Sequence, residues 1–203
     1  MADKNKIVNT GGYSIPVMVL KEREKQVCYY EPGPDFSPGL FGYRLNRLIE
    51  EVKIAEGKNQ VLFLCIGSDR STGDSLGPLI GYKLERTVTP GWSVMGTLEH
   101  PVHAVNLSET MNAIRRWHSD SVVVAIDASI GQREQVGLIS MGKGALQPGL
   151  GVRKRLETVG DIFITGVVGS STCLEPMVLQ SIRLSVVMEL ADAICMGIRS
   201  MGT

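Results

Sequence analysis

The apolar positions along this chain change their period several times, and each change marks an element. Leu45, Leu48, Ile49 and Val52 recur at three- and four-residue spacing with Gly57 just beyond, which predicts an amphipathic helix with a glycine stop. VLFLCI, residues 61–66, is an unbroken apolar run too short for a helix and reads as a strand buried on both faces. Leu76, Leu79, Ile80 and Leu84 return to the helical period.

The alternation then repeats. WSVMGTL (92–98) predicts a second strand, and Ser108 to Trp117 a helix with Met111, Ile114 and Trp117 on one side. VVVAI (122–126), VGLISM (136–141) and DIFITGVV (161–168) predict three more strands. The apolar-rich stretch from Leu174 to Ile198 reads as a last helix, its start marked by the capping-box pattern Thr172-Cys173-Leu174-Glu175. Strands without polar alternation, separated by helices, imply an α/β three-layer sandwich with a mainly parallel sheet covered on both faces.

One boundary stands out. EPGPDFSPG, Glu31 to Gly39, holds three prolines and two glycines and cannot continue a helix or a central strand. Residues 1–38 are therefore expected to be an N-terminal appendage, in which YSIPVMVL and QVCYY could form short strands, and 39–203 a single α/β domain.

Composition narrows the partners. Twenty-one basic residues balance twenty-one acidic ones, so no net field draws the chain to nucleic acid or to an anionic membrane, and neither is expected as a partner. No segment approaches a membrane span of about 20 apolar residues, and MADKNKIVNTGG has no apolar run after its charges, so a cytoplasmic protein is expected. Cys28, Cys65, Cys173 and Cys195 form no CxxC pair, which leaves zinc ribbons and disulfide frameworks without support.

In open parallel sheets, ligands bind where the carboxyl ends of strands meet loops. Two loops qualify: GSDRSTGDSLGP (67–78) after the first strand, and the segment opening Asp127-Ala128-Ser129 after the third. Gly73-Asp74-Ser75-Leu76 carries the letters of a large serine-esterase class. That chemistry needs its serine directly after the strand and a histidine base late in the chain. Here Ser75 lies nine residues beyond Ile66, and His118 is the last of three histidines. Asp74 and Asp127 are the better pair, although Asp74 could simply cap the helix that follows, and Asp127 could bond nearby loop amides.

The blocks IGSDRSTGDSLGP, VVAIDASIG, GALQPGLGVRKRL and VGDIFITGVVGSST resemble, in order and spacing, those of the spore germination proteases, over roughly residues 61–172. The chain is more similar still to the YyaC family of sporulation proteins, which resemble that protease and share the phosphorylase/hydrolase-like fold of the hydrogenase maturation proteases. The resemblance implies that Asp74 and Asp127 match the germination protease's two catalytic carboxylates. It also implies a polypeptide substrate such as the small acid-soluble spore proteins, and a forespore or spore-core setting. Beside the pair, Ser68, Asp69, Arg70, His103, Ser129 and Ser171 are the side chains expected to contact substrate.

Two carboxylates about 4 Å apart repel by about 4 kcal/mol at an effective dielectric near 20, so such a pair shares one proton and divides into acid and base. A metal version has to be weighed, because the hydrogenase maturation proteases use two carboxylates and a histidine to recognise nickel. Their acids match Asp74 before Gly77, and Asp127, but their histidine follows the second acid and none does so here. His100 and His103 are the imidazoles that could replace it. The expectation is no metal and no cofactor.

GKGALQPGLGVRKR, with Lys143, Arg153, Lys154 and Arg155, could bind anions, but it has no Walker or dinucleotide spacing and reads rather as a solvated loop framing a peptide groove. The expected function is an endopeptidase with an aspartate dyad. The alternative is a non-catalytic ligand- or partner-binding member of the same fold, and a nucleoside phosphorylase-like activity rests on fold analogy alone. A homo-oligomer stays open.

Overall fold

A computed structural model describes residues 27–87, 90–149, 156–170 and 182–202. YSIPVMVL, Ser171, the Thr172–Glu175 capping pattern and Arg153, Lys154 and Arg155 lie outside the described residues.

The elements are β1 (Cys28–Tyr30), α1 (Pro38–Glu56), β2 (Gln60–Cys65), α2 (Leu76–Glu85), β3 (Trp92–Met95), α3 (Leu107–Trp117), β4 (Ser121–Gly131), β5 (Ile139–Lys143), β6 (Ile162–Ser170) and α4 (Leu184–Arg199). Helix α1 forms where local chemistry permits. Ser37 caps it by accepting the Leu40 N–H, proline stands in the first turn, and Gly57 ends it in the left-handed region at φ 69°.

Among the described residues the sheet runs β1-β5-β6-β4-β2-β3. The pairs β2–β3, β2–β4 and β4–β6 are parallel, whereas β5 runs antiparallel to both β6 and β1. The fold is thus α/β with a mainly parallel sheet. The backbone alternation of the strands divides the core into two layers. Val61, Phe63, Cys65, Val122, Val124 and Ile126 pack against α1, α2 and α4, through Phe41, Leu45, Leu76, Ile80, Leu190 and Ile194 among others. Leu62, Leu64, Val123 and Ala125 pack on the opposite face against Leu107, Met111 and Ile114 of α3. With both faces covered, β2 and β4 need apolar side chains at every position, which is why they read as unbroken runs.

Several boundaries differ from the sequence reading. Strand β3 stops at Met95 because Gly96 turns to φ 88°, outside extended backbone. Strand β4 continues past Ile126 to Gly131, because its outer half still pairs with β6, from Asp127 opposite Thr165 to Gly131 opposite Ser170. Strand β5 begins at Ile139, after a 3-10 turn at Arg133–Gln135, so only part of VGLISM belongs to it. Within the last expected helix, α4 runs from Leu184, with Arg183 before it extended (φ −69°, ψ 126°), and residues 174–181 lie outside the described residues. Trp117 is 71% exposed, with the Arg116 guanidinium 4.9 Å from its ring, and does not share the buried face of Met111 and Ile114. Cys28–Tyr30 is a strand of the sheet, paired to β5. No helix among the described residues is long and apolar enough to cross a membrane.

Candidate functional site: a carboxylate pair at the strand ends

The connection β2-α2-β3 leaves β2 toward one edge of the sheet, and β3-α3-β4 returns across it to the other side. The helices α2 and α3 accordingly lie on opposite faces, and the strand order reverses beyond the ends of β2 and β4, the position at which open sheets of this kind bind ligands. Asp74 follows β2 and Asp127 lies on β4, so topology alone assigns both to this edge.

The end of β2 is stitched to β4 and to the loop that follows β3. The Ile66 N–H donates to the Ile126 carbonyl at 2.7 Å, and the Gly67 N–H to the Val102 carbonyl at 2.8 Å. Gly67 adopts φ 141°, and a Cβ there would overlap the Asp74 carbonyl oxygen. The loop then closes on itself as the Ser68 N–H donates to that same Asp74 oxygen at 3.0 Å. Asp74 sits in a single 3-10 turn, Thr72–Ser75, and caps nothing: neither this turn nor α2 has a side-chain cap.

Asp127 is 6% exposed. Its Oδ1 accepts the N–H of Ala128 at 2.8 Å, and the Gly149 N–H also lies close enough to favour the ionised form. Burial outweighs both, and the nearby Asp74 charge adds to it, so the Asp127 carboxyl is pushed up to about 8. Burial raises Asp74 too, opposed by the Ser68 N–H and by His103. The two acids therefore differ at neutral pH: Asp127 keeps its proton, and Asp74 is the readier to ionise.

The structure brings His103 to the same edge, on the loop after the Ile66–Val102 bridge and within electrostatic reach of Asp74. Ser68 is half-buried, and its Oγ accepts the Arg70 N–H at 3.3 Å, while Asp69 and Arg70 are exposed. The Ser129 hydroxyl donates to the Gly166 carbonyl at 3.4 Å within the sheet. Ser75 is buried, and its hydroxyl donates to the Thr72 carbonyl at 2.7 Å, an occupation that suits a turn residue better than a nucleophile.

The contact that sequence reasoning missed is Gly149. Its segment is tied down by the paired bonds between Leu146 and Val159, each 2.8 Å, and it turns at φ 83° to aim its N–H at Asp127. The Pro148-Gly149 dipeptide was the available signal, marking a turn but not its target.

The donor set fits a metal poorly. Among the described residues no group of three or more His, Cys, Asp or Glu side chains is close enough to hold an ion. His100 is exposed, its own N–H held by the Thr97 hydroxyl at 3.2 Å, and His118 ends α3.

Comparison with known proteins gives three similarities. A [NiFe] hydrogenase maturation protease, HycI from Thermococcus kodakarensis KOD1, aligns in structure over 74% of this chain and 98% of its own. At 19% identity and a TM-score of 0.42, that likeness supports no inference about this chain. "Uncharacterized protein YyaC" of Bacillus subtilis (strain 168) is 44% identical over 151 residues, covering 74% of this chain and 73% of the relative. Residues 42–197 match the family described as "Protein of unknown function (DUF1256)". With most of its length inside that match and a relative of this identity, the chain belongs to the DUF1256 family.

Proposed function

We propose that this chain is a hydrolase of the peptidase type, in which Asp74 and Asp127 together activate water against a peptide bond. One observation carries the reading: Asp127 is a buried carboxyl held up to about 8 by burial and then by the Asp74 charge. Such a pairing of perturbed acids at the switch point of the sheet is the arrangement that general acid–base chemistry uses. At neutral pH, ionised Asp74 takes a proton from water as it attacks the carbonyl carbon. Protonated Asp127 gives its proton to the carbonyl oxygen; as the C–N bond breaks, Asp74 gives the proton it took to the leaving amine, and the proton on the collapsing oxygen returns to Asp127. The pair titrates as a unit, so these roles describe the most populated arrangement of one shared proton.

The motif resemblance to the germination proteases supports a polypeptide substrate and suggests small acid-soluble spore proteins, in a spore setting, as the first to try. Purified protein is incubated with these proteins and with an unfolded control polypeptide, and the products are read by mass spectrometry. Cleavage is expected, with Asp74→Asn and Asp127→Asn each reducing it by about 10²-fold or more. Cleavage retained in either variant moves the chemistry to other residues. No cleavage by the unchanged protein overturns the peptidase reading.

A further inference from the structure

His103 is held more firmly than a residue lining a cleft requires. Its backbone N–H donates to Asn106 Oδ1 at 2.8 Å, and its carbonyl accepts the N–H groups of Asn106 and Leu107 at 3.1 and 2.9 Å. Asn106 Nδ2 donates to the Pro101 carbonyl at 3.0 Å, which closes the loop around the histidine. The ring is fixed as well, since the Val105 N–H donates to Nδ1 at 3.3 Å.

That last bond decides the chemistry of the imidazole. A nitrogen accepting a hydrogen bond carries no proton, so in the neutral ring the proton sits on Nε2. The free nitrogen is thus a donor. A metal ion would need the Nε2 lone pair, and the ring proton would have to move to Nδ1, against the Val105 N–H that already points there. Metal-binding histidines have the reverse support, with Nδ1–H donating to a carbonyl or carboxylate.

We propose that His103 is a further substrate-contacting residue, presenting Nε2–H to a carbonyl or carboxylate oxygen of the substrate, and that the site is built for such an acceptor and not for a divalent cation. The inference deepens the peptidase reading and rests on it for the identity of the substrate group, but the tautomer and the exclusion of metal stand on the loop geometry. In the peptidase reaction the donor holds the carbonyl oxygen in place while water attacks and Asp127 passes its proton to that oxygen.

The test uses the full chain with 15N-labelled histidine at pH 8, above the ordinary histidine range. A long-range 1H–15N correlation spectrum, with His103 assigned through the His103→Gln variant, should show Nδ1 unprotonated and Nε2 protonated. Equimolar zinc or nickel chloride should leave those signals in place. A proton on Nδ1, or displacement of the Nε2 signal by the equimolar metal, overturns the proposal. In the cleavage assay His103→Gln, whose amide can donate from the same place, should stay within about tenfold of the unchanged protein, and His103→Ala should lose about 10²-fold. Equal activity of the alanine and unchanged proteins also overturns it. Absence of cleavage from all three counts against the peptidase reading alone, and the tautomer spectrum then decides this one.

Discussion

Gly77, in the first turn of α2, lies flat against the main chain of Ile66, so that a Cβ at position 77 would overlap the Ile66 carbonyl oxygen and crowd its carbonyl carbon and nitrogen. No side chain fits between the helix start and the end of β2. This contact fixes how far the Thr72–Ser75 turn, and Asp74 with it, stands from the sheet edge.

Gly77→Ala should therefore damage both stability and site. The added methyl meets backbone and not a flexible side chain, so α2 must shift, at a cost of about 1–3 kcal/mol. Thermal unfolding and the cleavage assay should both fall, whereas Gly57→Ala, where a Cβ meets nothing within 4 Å, should leave cleavage intact and lower stability only through its left-handed backbone.

Ser75→Ala removes the hydroxyl bonded to the Thr72 carbonyl at 2.7 Å. The loss should be about 1 kcal/mol in chemical denaturation, and turnover should be nearly unchanged. A loss of cleavage comparable to that of the aspartate variants would bring the serine back into the chemistry.

The opposite edge of the sheet supplies a control. Asp161 Oδ2 accepts from Lys58 Nζ at 2.8 Å and from the Val123 N–H at 2.9 Å, so this carboxylate is spent on holding β4, β6 and the turn after α1 together. Asp161→Ala leaves the part-buried Val123 N–H without its acceptor, while the Lys58 ammonium keeps Glu56 Oε2 at 2.7 Å. It should cost about 1–3 kcal/mol and leave the chemistry at Asp127 untouched.

Much of the fold was legible because a strand covered on both faces must be apolar throughout, and VLFLCI and VVVAI have no other economical reading. The end of β4 was not. Asp127, Ser129 and Gly131 break the apolar run, yet pairing to β6 carries the strand through them, and that partner is 35 or more residues away. Direction was hidden likewise: nothing within Ile139–Lys143 says that β5 runs antiparallel to β6. At the site, Asp127 could be found as the first polar residue after a buried run. The placement of Asp74 depends on Gly67 and Gly77 meeting Asp74 and Ile66 across space, and the grip of Gly149 on Asp127 depends on a loop anchored at Val159. Spacing along the chain encodes none of these contacts.

The raised Asp127 carboxyl has a consequence for stability. Unfolded, the group loses its proton near the ordinary 3.8, and folded it holds it to about 8. Between those values the native state binds one proton more than the unfolded state, so stability falls as pH rises, by up to about 1.4 kcal/mol per pH unit. Below the window the group is neutral in both states and costs nothing. Asp127→Asn should flatten the decline in urea midpoints between pH 5 and 8, and the variant should be relatively more stable at the alkaline end. An unchanged slope would place its source elsewhere.

The central claim is that Asp74 and Asp127 sense each other's charge, and a carboxyl titration tests it most directly. With 13C-labelled aspartate, the side-chain carboxyl of Asp127 is followed against pH by NMR in the unchanged protein and in Asp74→Asn. The midpoint should lie near 8 in the former and lower in the latter, because removing the Asp74 charge removes one of the two causes that raise it. An Asp127 midpoint near 3.8 in the unchanged protein, or one that Asp74→Asn leaves in place, would contradict the account.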